Sequence, residues 1–383
     1  MRTTGKAFLD ARKGVVMTFP AGIDLEQYRT QAKDLLRDAR AGLPEALARL
    51  RQHRSRRQPL VPADGGARRA DAQLVIRRQP LKPAGSDIRL ADAQLVIARQ
   101  NGFPSWARFK EFLLFRQAVQ ALDEGDLPGL EALLDEHPSL VRYRCRAGAP
   151  YEQGYFAGAT LLHHVAGNPD RGPLPRNILD VARLLIHRGF DPAAAEQTIG
   201  LLLTSKRASE AGVALPLVDL LLAAGAKFDL DAPDVLGMPL LNVASATAEA
   251  LVRRGARMDV RYAAALGRIE ALQALLAAAP AAPGLLEEAL AYACIRGQAA
   301  AAAFLLRHGA KGDVLVAPGG QTPRTALHEA ANRGHLDIVR ILLGAGASAA
   351  IVEPRWGGTA AGWAAHGGHP EVAALLRQGL GEG

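Results

Sequence analysis

TALHEAANRGHLDIVRILLGAGAS, residues 325–348, decides how the whole chain is read. It divides into a short Ala-rich helix, a turn around Gly334, and a second helix carrying Leu342–Leu343; a Gly-rich connecting segment, GAGASAA (344–350), follows. Glycine at the turn supplies a positive-φ residue, which lets two short helices run antiparallel. Aligned on that glycine, ALDEGDLPGLEALL (121–134), AALGRIEALQALL (264–276), ACIRGQAAAAAFLL (293–306) and AHGGHPEVAALL (365–376) follow the same plan. Gly297, Gly334 and Gly368 lie 37 and 34 residues apart. One helix pair cannot bury its own apolar face, so pairs come in series and shield one another. The doublets Leu184–Leu185, Leu221–Leu222, Leu275–Leu276, Leu305–Leu306, Leu342–Leu343 and Leu375–Leu376 are therefore read as core, not as a ligand pocket.

Composition agrees with a helical reading. With 49% hydrophobic but only 5% aromatic residues, the chain suits helices of small residues better than a β-sandwich. Its 383 residues allow two or three domains, or one elongated array. Cys145 and Cys294 make neither a disulfide framework nor a metal set, which fits a reducing cytoplasm. No stretch approaches the roughly 18–20 apolar residues of a membrane span. Residues 1–20 lack the apolar core and cleavage pattern of a signal peptide. Met1 and Met17 are both candidate starts, and residues 1–16 are read as a disordered leader.

Catalytic spacings are not found. HEAAN (328–332) begins like a zinc-protease helix, but Asn332 stands where a second histidine is needed to hold metal on one helical face. Neither Gly-x-Ser-x-Gly, nor a P-loop, nor Gly-x-Gly-x-x-Gly occurs. No catalytic residue, metal or cofactor is expected.

The repeated phrases resemble the ankyrin-repeat family. TALHEAANRGHLDIVRILLGAGAS follows its pattern of Thr-Pro-Leu-His, Ala-Ala, Gly-His, Leu-Leu and Gly-Ala; TLLHHVA (160–166) with ILDVARLLIHRGFDP (178–192) is a second match. GTAAGWAAHGGHPEVAALL (358–376) is a third, with Gly362 where histidine is usual, and MPLLNVASATAEALVRRGARMDV (238–260) is a shortened fourth. The resemblance implies an all-α ankyrin solenoid, with hairpin-like loops between helix-turn-helix units: about eight degenerate units over 117–383. It implies structural roles for Thr160, His163, Thr325, His328, Gly334, His335, Gly368 and His369, with His163 and His328 tying helices to neighbouring loops. It also implies binding of a protein partner through the concave face. The family's variable position after the first-helix histidine falls on Gln120, His164, Asn242, Tyr262, Tyr292, Glu329 and Trp363, and on Leu202 in the unit near 198–203. These are expected on an exposed groove, where rigid aromatics serve as binding hot spots.

Two insertions depart from the plain repeat: GNPDRGPLPRN (167–177) and TSKRASEAG (204–212). They are expected to extend the groove and to offer Arg171, Arg176, Lys206 and Arg207 to a partner. The long connection 145–158 carries Tyr151, Tyr155 and Phe156, as a loop packed on its own helices or a binding finger. The order of these features also resembles a bacterial subgroup of ankyrin proteins with a helical N-terminal extension, which implies a bacterial cytoplasm. A monomer is expected, with no membrane association.

Charge is unevenly spread. Residues 1–116 hold 23 Lys/Arg against 11 Asp/Glu, whereas 117–383 hold 23 against 27. DLEQYRTQAKDLLRDARAG (24–42) and PEALARLRQH (44–53) form an αα-hairpin with Asp24 as N-cap, so 17–57 is a basic helical hairpin. Residues 58–89 read as a linker containing ADAQLVIRRQ (70–79), a partial duplicate of ADAQLVIARQ (91–100). In the second copy Leu90, Ala93, Val96 and Ile97 form a stripe, and Phe-Pro-Ser-Trp (103–106) opens a second helix; 90–116 is then a capping hairpin with Leu95–Ile97 well packed. Leu74–Ile76 of the first copy are expected to be less buried. The leading expectation is a non-catalytic scaffold that binds a protein. The alternative is nucleic-acid or other polyanion binding by the Arg-rich N-terminal module.

Overall fold

The computed structural model describes residues 24–55, 88–148, 151–152, 156–167, 172–232, 234–242 and 244–378. The leader, residues 58–87 of the linker with the first ADAQLVI copy, Tyr155 and Arg171 lie outside the described residues. Two compact units divide the chain: residues up to 165 with 174–194, and 166–173 with 195 onward.

The first unit begins with α1 (Leu25–Arg40) and α2 (Pro44–Ser55). The Asp24 carboxylate accepts from the Glu26 backbone N–H to cap α1, and Gly42 turns the chain at φ 80°. Both helices pack on α3 (Leu90–Gln100), and α1 also meets α4 (Trp106–Glu124). Phe103, Phe109 and Phe112 form an aromatic cluster there, with the Tyr28 ring edge-on to Phe109 at 4.9 Å. Part of the basic excess is structural: Arg40 donates to Ile88 O, Arg49 to Gln100 and Arg99 to His53 O.

The second ADAQLVI copy sits on this core through Ala93, Val96, Ile97 and Ala98; Leu95 is half-buried. Ala98 is fully buried at the position where the first copy carries Arg77. Leu90 departs from the expected stripe. It opens the helix and is 37% exposed. The capping hairpin does not end at residue 116 either, because α4 runs on to Glu124 and pairs with α5 (Leu127–Glu136). One helix thus belongs both to the N-terminal hairpin and to a repeat-like pair. A second pair follows, α6 (Leu161–His164) and α7 (Ile178–His187).

Helix α8 (Pro192–Thr204) crosses into the second unit, followed by α9 (Lys206–Glu210) and α10 (Ala214–Ala223). Then come five pairs: α11 (Gly237–Leu241) with α12 (Ser245–Arg253), α13 (Val260–Ala265) with α14 (Ile269–Ala278), α15 (Leu285–Arg296) with α16 (Ala299–Arg307), α17 (Ala326–Asn332) with α18 (Leu336–Gly344), and α19 (Ala360–His366) with α20 (Pro370–Gln378). First helices α13, α15, α17 and α19 lie side by side in one layer, and α14, α16, α18 and α20 in the other. Leu272, Leu290, Leu305, Leu327, Leu342 and Leu376 join one core between them. Successive helical residues point about 100° apart, so in the doublets 305–306, 342–343 and 375–376 one leucine faces that core and its partner sits at the edge; Leu342 is buried and Leu343 half-buried. No regular strand occurs among the described residues. The loops between pairs carry isolated antiparallel bridges instead: Cys145–Ala159 in the first unit, Val316–Arg324 and Val352–Thr359 in the second.

From α13/α14 onward, each pair is locked to the next at the turn. A Cβ on Gly297 would lie 2.9 Å from the His335 ring, and one on Gly334 would lie 2.4 Å from His369 Nδ1; both glycines also have φ 73°. His335, held by a hydrogen bond to the Ile295 backbone, is kept below the ordinary imidazole pKa of 6.5, chiefly by burial. His328 is held below it for the same first reason. Its Nε2–H donates to Gly358 O at 3.1 Å, leaving Nδ1 to accept from the Thr325 hydroxyl at 2.7 Å.

Two outcomes are expected. Leu342→Ala lowers unfolding free energy in urea by about 3 kcal/mol, whereas Leu343→Ala costs clearly less. Because the unfolded state takes up protons on these histidines before the folded state does, stability is full above pH 6.5 and falls as pH drops below it. A melting temperature unchanged between pH 7.5 and 5.5 contradicts this.

Candidate interaction site

Most of the expected groove residues are buried. Tyr262 and Tyr292 are each 1% exposed, because α13 and α15 pack too closely to leave a cleft at that position. Their rings meet edge to face at 5.7 Å. The Tyr262 hydroxyl donates to Asp234 at 3.0 Å. Gly237, at the start of α11, covers both: a Cβ there would lie 3.1 Å from the Tyr292 oxygen and 3.4 Å from that of Tyr262. Burial pushes both phenols above their ordinary pKa. Arg261 completes the cluster, bonding Asp234 at 2.9 Å, Asp259 at 2.6 Å and Glu288 at 3.4 Å. This is a packed polar core, not a binding surface.

His164 is likewise sealed, within the first unit. Its Nδ1–H donates to Thr160 O, and its Nε2 accepts from the Tyr151 hydroxyl, both at 2.9 Å. Phe115 and Phe156 close around the pair. Tyr151 and Phe156 are therefore core residues, and not exposed contacts of a finger. His163 Nδ1 accepts from the Thr160 N–H at 3.1 Å. Burial pushes the Cys145 thiol up to about 12, so it stays protonated and unreactive at neutral pH. Leu202 is buried, while Gln120 is exposed and bonded to Glu124. Asn242 is exposed, its amide donating to Met238 O at 2.8 Å. The insertion 204–212 is no open loop; α9 fills it, capped by Ser205. Lys206 is exposed and 3.7 Å from Glu210, Arg207 is half-buried, and Arg176 is exposed.

Glu329 and Trp363 lead to a different surface. Glu329, only 1% exposed, accepts from Arg333 at 2.6 Å and from Arg324 at 3.3 Å. That fixes Arg324 with its guanidinium 4.0 Å from the Trp363 ring centre and 5.9 Å from that of Trp356. The two indoles meet edge to face at 5.6 Å. Glu353 builds the loop that carries Trp356. Its buried carboxylate accepts the N–H groups of Arg355 and Trp356 at 2.8 Å and of Gly358 at 3.2 Å. Burial alone would raise its pKa, but those donors, with Arg324, outweigh burial and hold it below the usual carboxylate range. The turn therefore holds Trp356 outward, 45% exposed, with Arg355 over its face at 4.7 Å.

The preceding loop joins this corner. Ser348 N–H donates to Asp313 at 2.7 Å, and Arg355 reaches Thr322 at 3.4 Å. Six large apolar side chains are exposed among the described residues, and four of them, Val314, Leu315, Val352 and Trp356, stand on these two loops. Two buried N–H donors here, Arg324 Nε and Trp363 Nε1, find no acceptor among the described residues. Trp356, Arg355 and Arg324 were not foreseen. The signal was EPRWGG (353–358), a tryptophan placed among turn residues that have no use for its bulk.

Residues 260–351 match a family model described as ankyrin repeats (3 copies), and residues 327–377 match one described as ankyrin repeats (many copies). Both loops of the corner fall within the matched region. No curated protein matches the chain.

Glu329→Ala leaves two arginines without their shared carboxylate and should lower unfolding free energy by about 3 kcal/mol. Trp356→Ala, at an exposed position, should stay within about 0.5 kcal/mol of the parent. Urea titrations monitored by circular dichroism check both.

Proposed function

We propose, from the ankyrin-repeat matches over residues 260–377, that the chain binds a protein partner at the corner built by Trp356, Val352, Leu315 and Val314. Ankyrin repeats are generally protein–protein interaction modules. The observation that carries the choice of site is the gathering of four exposed apolar side chains on two joined loops. An apolar patch held by fixed backbone costs little entropy when it binds. A tryptophan flanked by arginines has the composition of an interface hot spot. The partner segment is apolar enough to cover an indole face, with an acceptor within reach of Arg355. The buried Tyr262 and Tyr292 support the site by stiffening the array, and no contact is assigned to them.

The test is a comparison of the parent chain with Trp356→Ala and Leu315→Ser. Proteins captured from native lysate, with and without nuclease, are identified, and their affinities for the three chains are then measured by calorimetry. Trp356→Ala is expected to weaken binding by at least tenfold with its melting temperature unchanged. Unchanged affinity, or capture that depends on nucleic acid, contradicts the reading.

A further inference from the structure

Four partly buried arginines of the second unit meet carboxylates. Arg261 is held by Asp234, Asp259 and Glu288, Arg268 by Glu249, and Arg324 and Arg333 share Glu329. Arg296, at the end of α15, does not follow this pattern. Its Nη2–H donates to the Ser245 hydroxyl, and its Nε–H is buried with no acceptor among the described residues. No acid stands within ion-pair distance of it there. Burial, and then the Arg333 cation, push its pKa down. His335 is subject to the same crowding, with Arg333, His369 and Arg296 all opposing its protonation.

A guanidinium withdrawn from water beside a like charge is unfavourable unless a counter-charge arrives. The geometry at Arg296 suits one. Nε–H and Nη2 share the edge of the guanidinium that grips two oxygens of one anion. The Ser245 hydroxyl, while accepting from Nη2, keeps its own proton to donate. Ser245 is the first residue of α12, and Ala244 before it supplies no side-chain cap, so the positive end of that helix faces the same spot.

We propose that Arg296 and Ser245 form a subsite for a single oxyanion, either a carboxylate of an acidic peptide or free inorganic phosphate. The proposal does not rest on the corner at Trp356, and either can fail without the other.

The experiment uses the full chain with arginine labelled at Nε, titrated at pH 7.4 and constant ionic strength with sodium phosphate, sodium acetate, a capped Glu-containing peptide, or sodium chloride. The Arg296 Nε–H signal is identified by its loss in Arg296→Lys. It is expected to move saturably with phosphate or with both carboxylates, and not with chloride. Phosphate alone assigns a free-phosphate site, and response to acetate and peptide assigns a carboxylate site. In chloride, Arg296→Met is expected to melt no lower than the parent, since it removes a cation without a counter-charge, and to lose the stabilisation that the anion gives. A linear or chloride-like response overturns the proposal. So does an anion response retained in Arg296→Met, or a fall in its melting temperature in chloride, which would make Arg296 a structural donor to Ser245.

Discussion

The spacing of the helix pairs from α13 onward depends on a side chain seated against a glycine one pair away. Gln298 rests on Gly267, His335 on Gly297 and His369 on Gly334; Asn177 does the same to Gly125 within the first unit, where its amide also donates to Gly125 O at 2.8 Å. Each glycine is needed twice: the turn requires positive φ, and the approaching side chain occupies the space of a Cβ. Because the contact recurs, it sets the spacing between successive pairs. Close spacing lets small residues such as Ala263, Ala264, Ala293, Ala330 and Ala331 line the buried faces of the first helices. The same spacing swallows the side chains that a wider array would display.

Buried charge completes the arrangement. Glu329 and Glu353 lie within the last two pairs, where a lone carboxylate would be costly. Each is satisfied, Glu329 by two arginines and Glu353 by three backbone N–H groups. The result is directional. Glu329 fixes Arg324 against Trp363, Glu353 fixes the turn under Trp356, and the His328 bond to Gly358 O ties that turn to the preceding helix. A loop tip stiffened from below can offer an aromatic ring without ordering it anew on contact.

The helix pairs, the turn glycines and the facing leucines were legible in the sequence because each depends on local spacing. Asp24 and the Thr325–His328 pair were legible for the same reason, being bonds between residues two or three apart. Exposure was not. The position after the first-helix histidine was read as groove, yet whether Tyr262 faces solvent depends on how near α15 lies and on Gly237, 25 residues away. Nor did the sequence show that α9 would fill the second insertion, or that Tyr151 would find His164 13 residues on. The residues that form the exposed corner sit in turns, where composition reports backbone need and hides side-chain direction.

The interlock at the turns is tested most directly by a double-mutant cycle between Gly297→Ala and His335→Ala. If the His335 ring occupies the space of the missing Cβ, Gly297→Ala is costly in the parent. In the His335→Ala background it costs only the strain of positive φ, about 1 kcal/mol, so the two changes couple by about 1 kcal/mol or more. Additivity within about 0.3–0.5 kcal/mol would contradict the interlock and remove the stated reason for the close spacing of the helices.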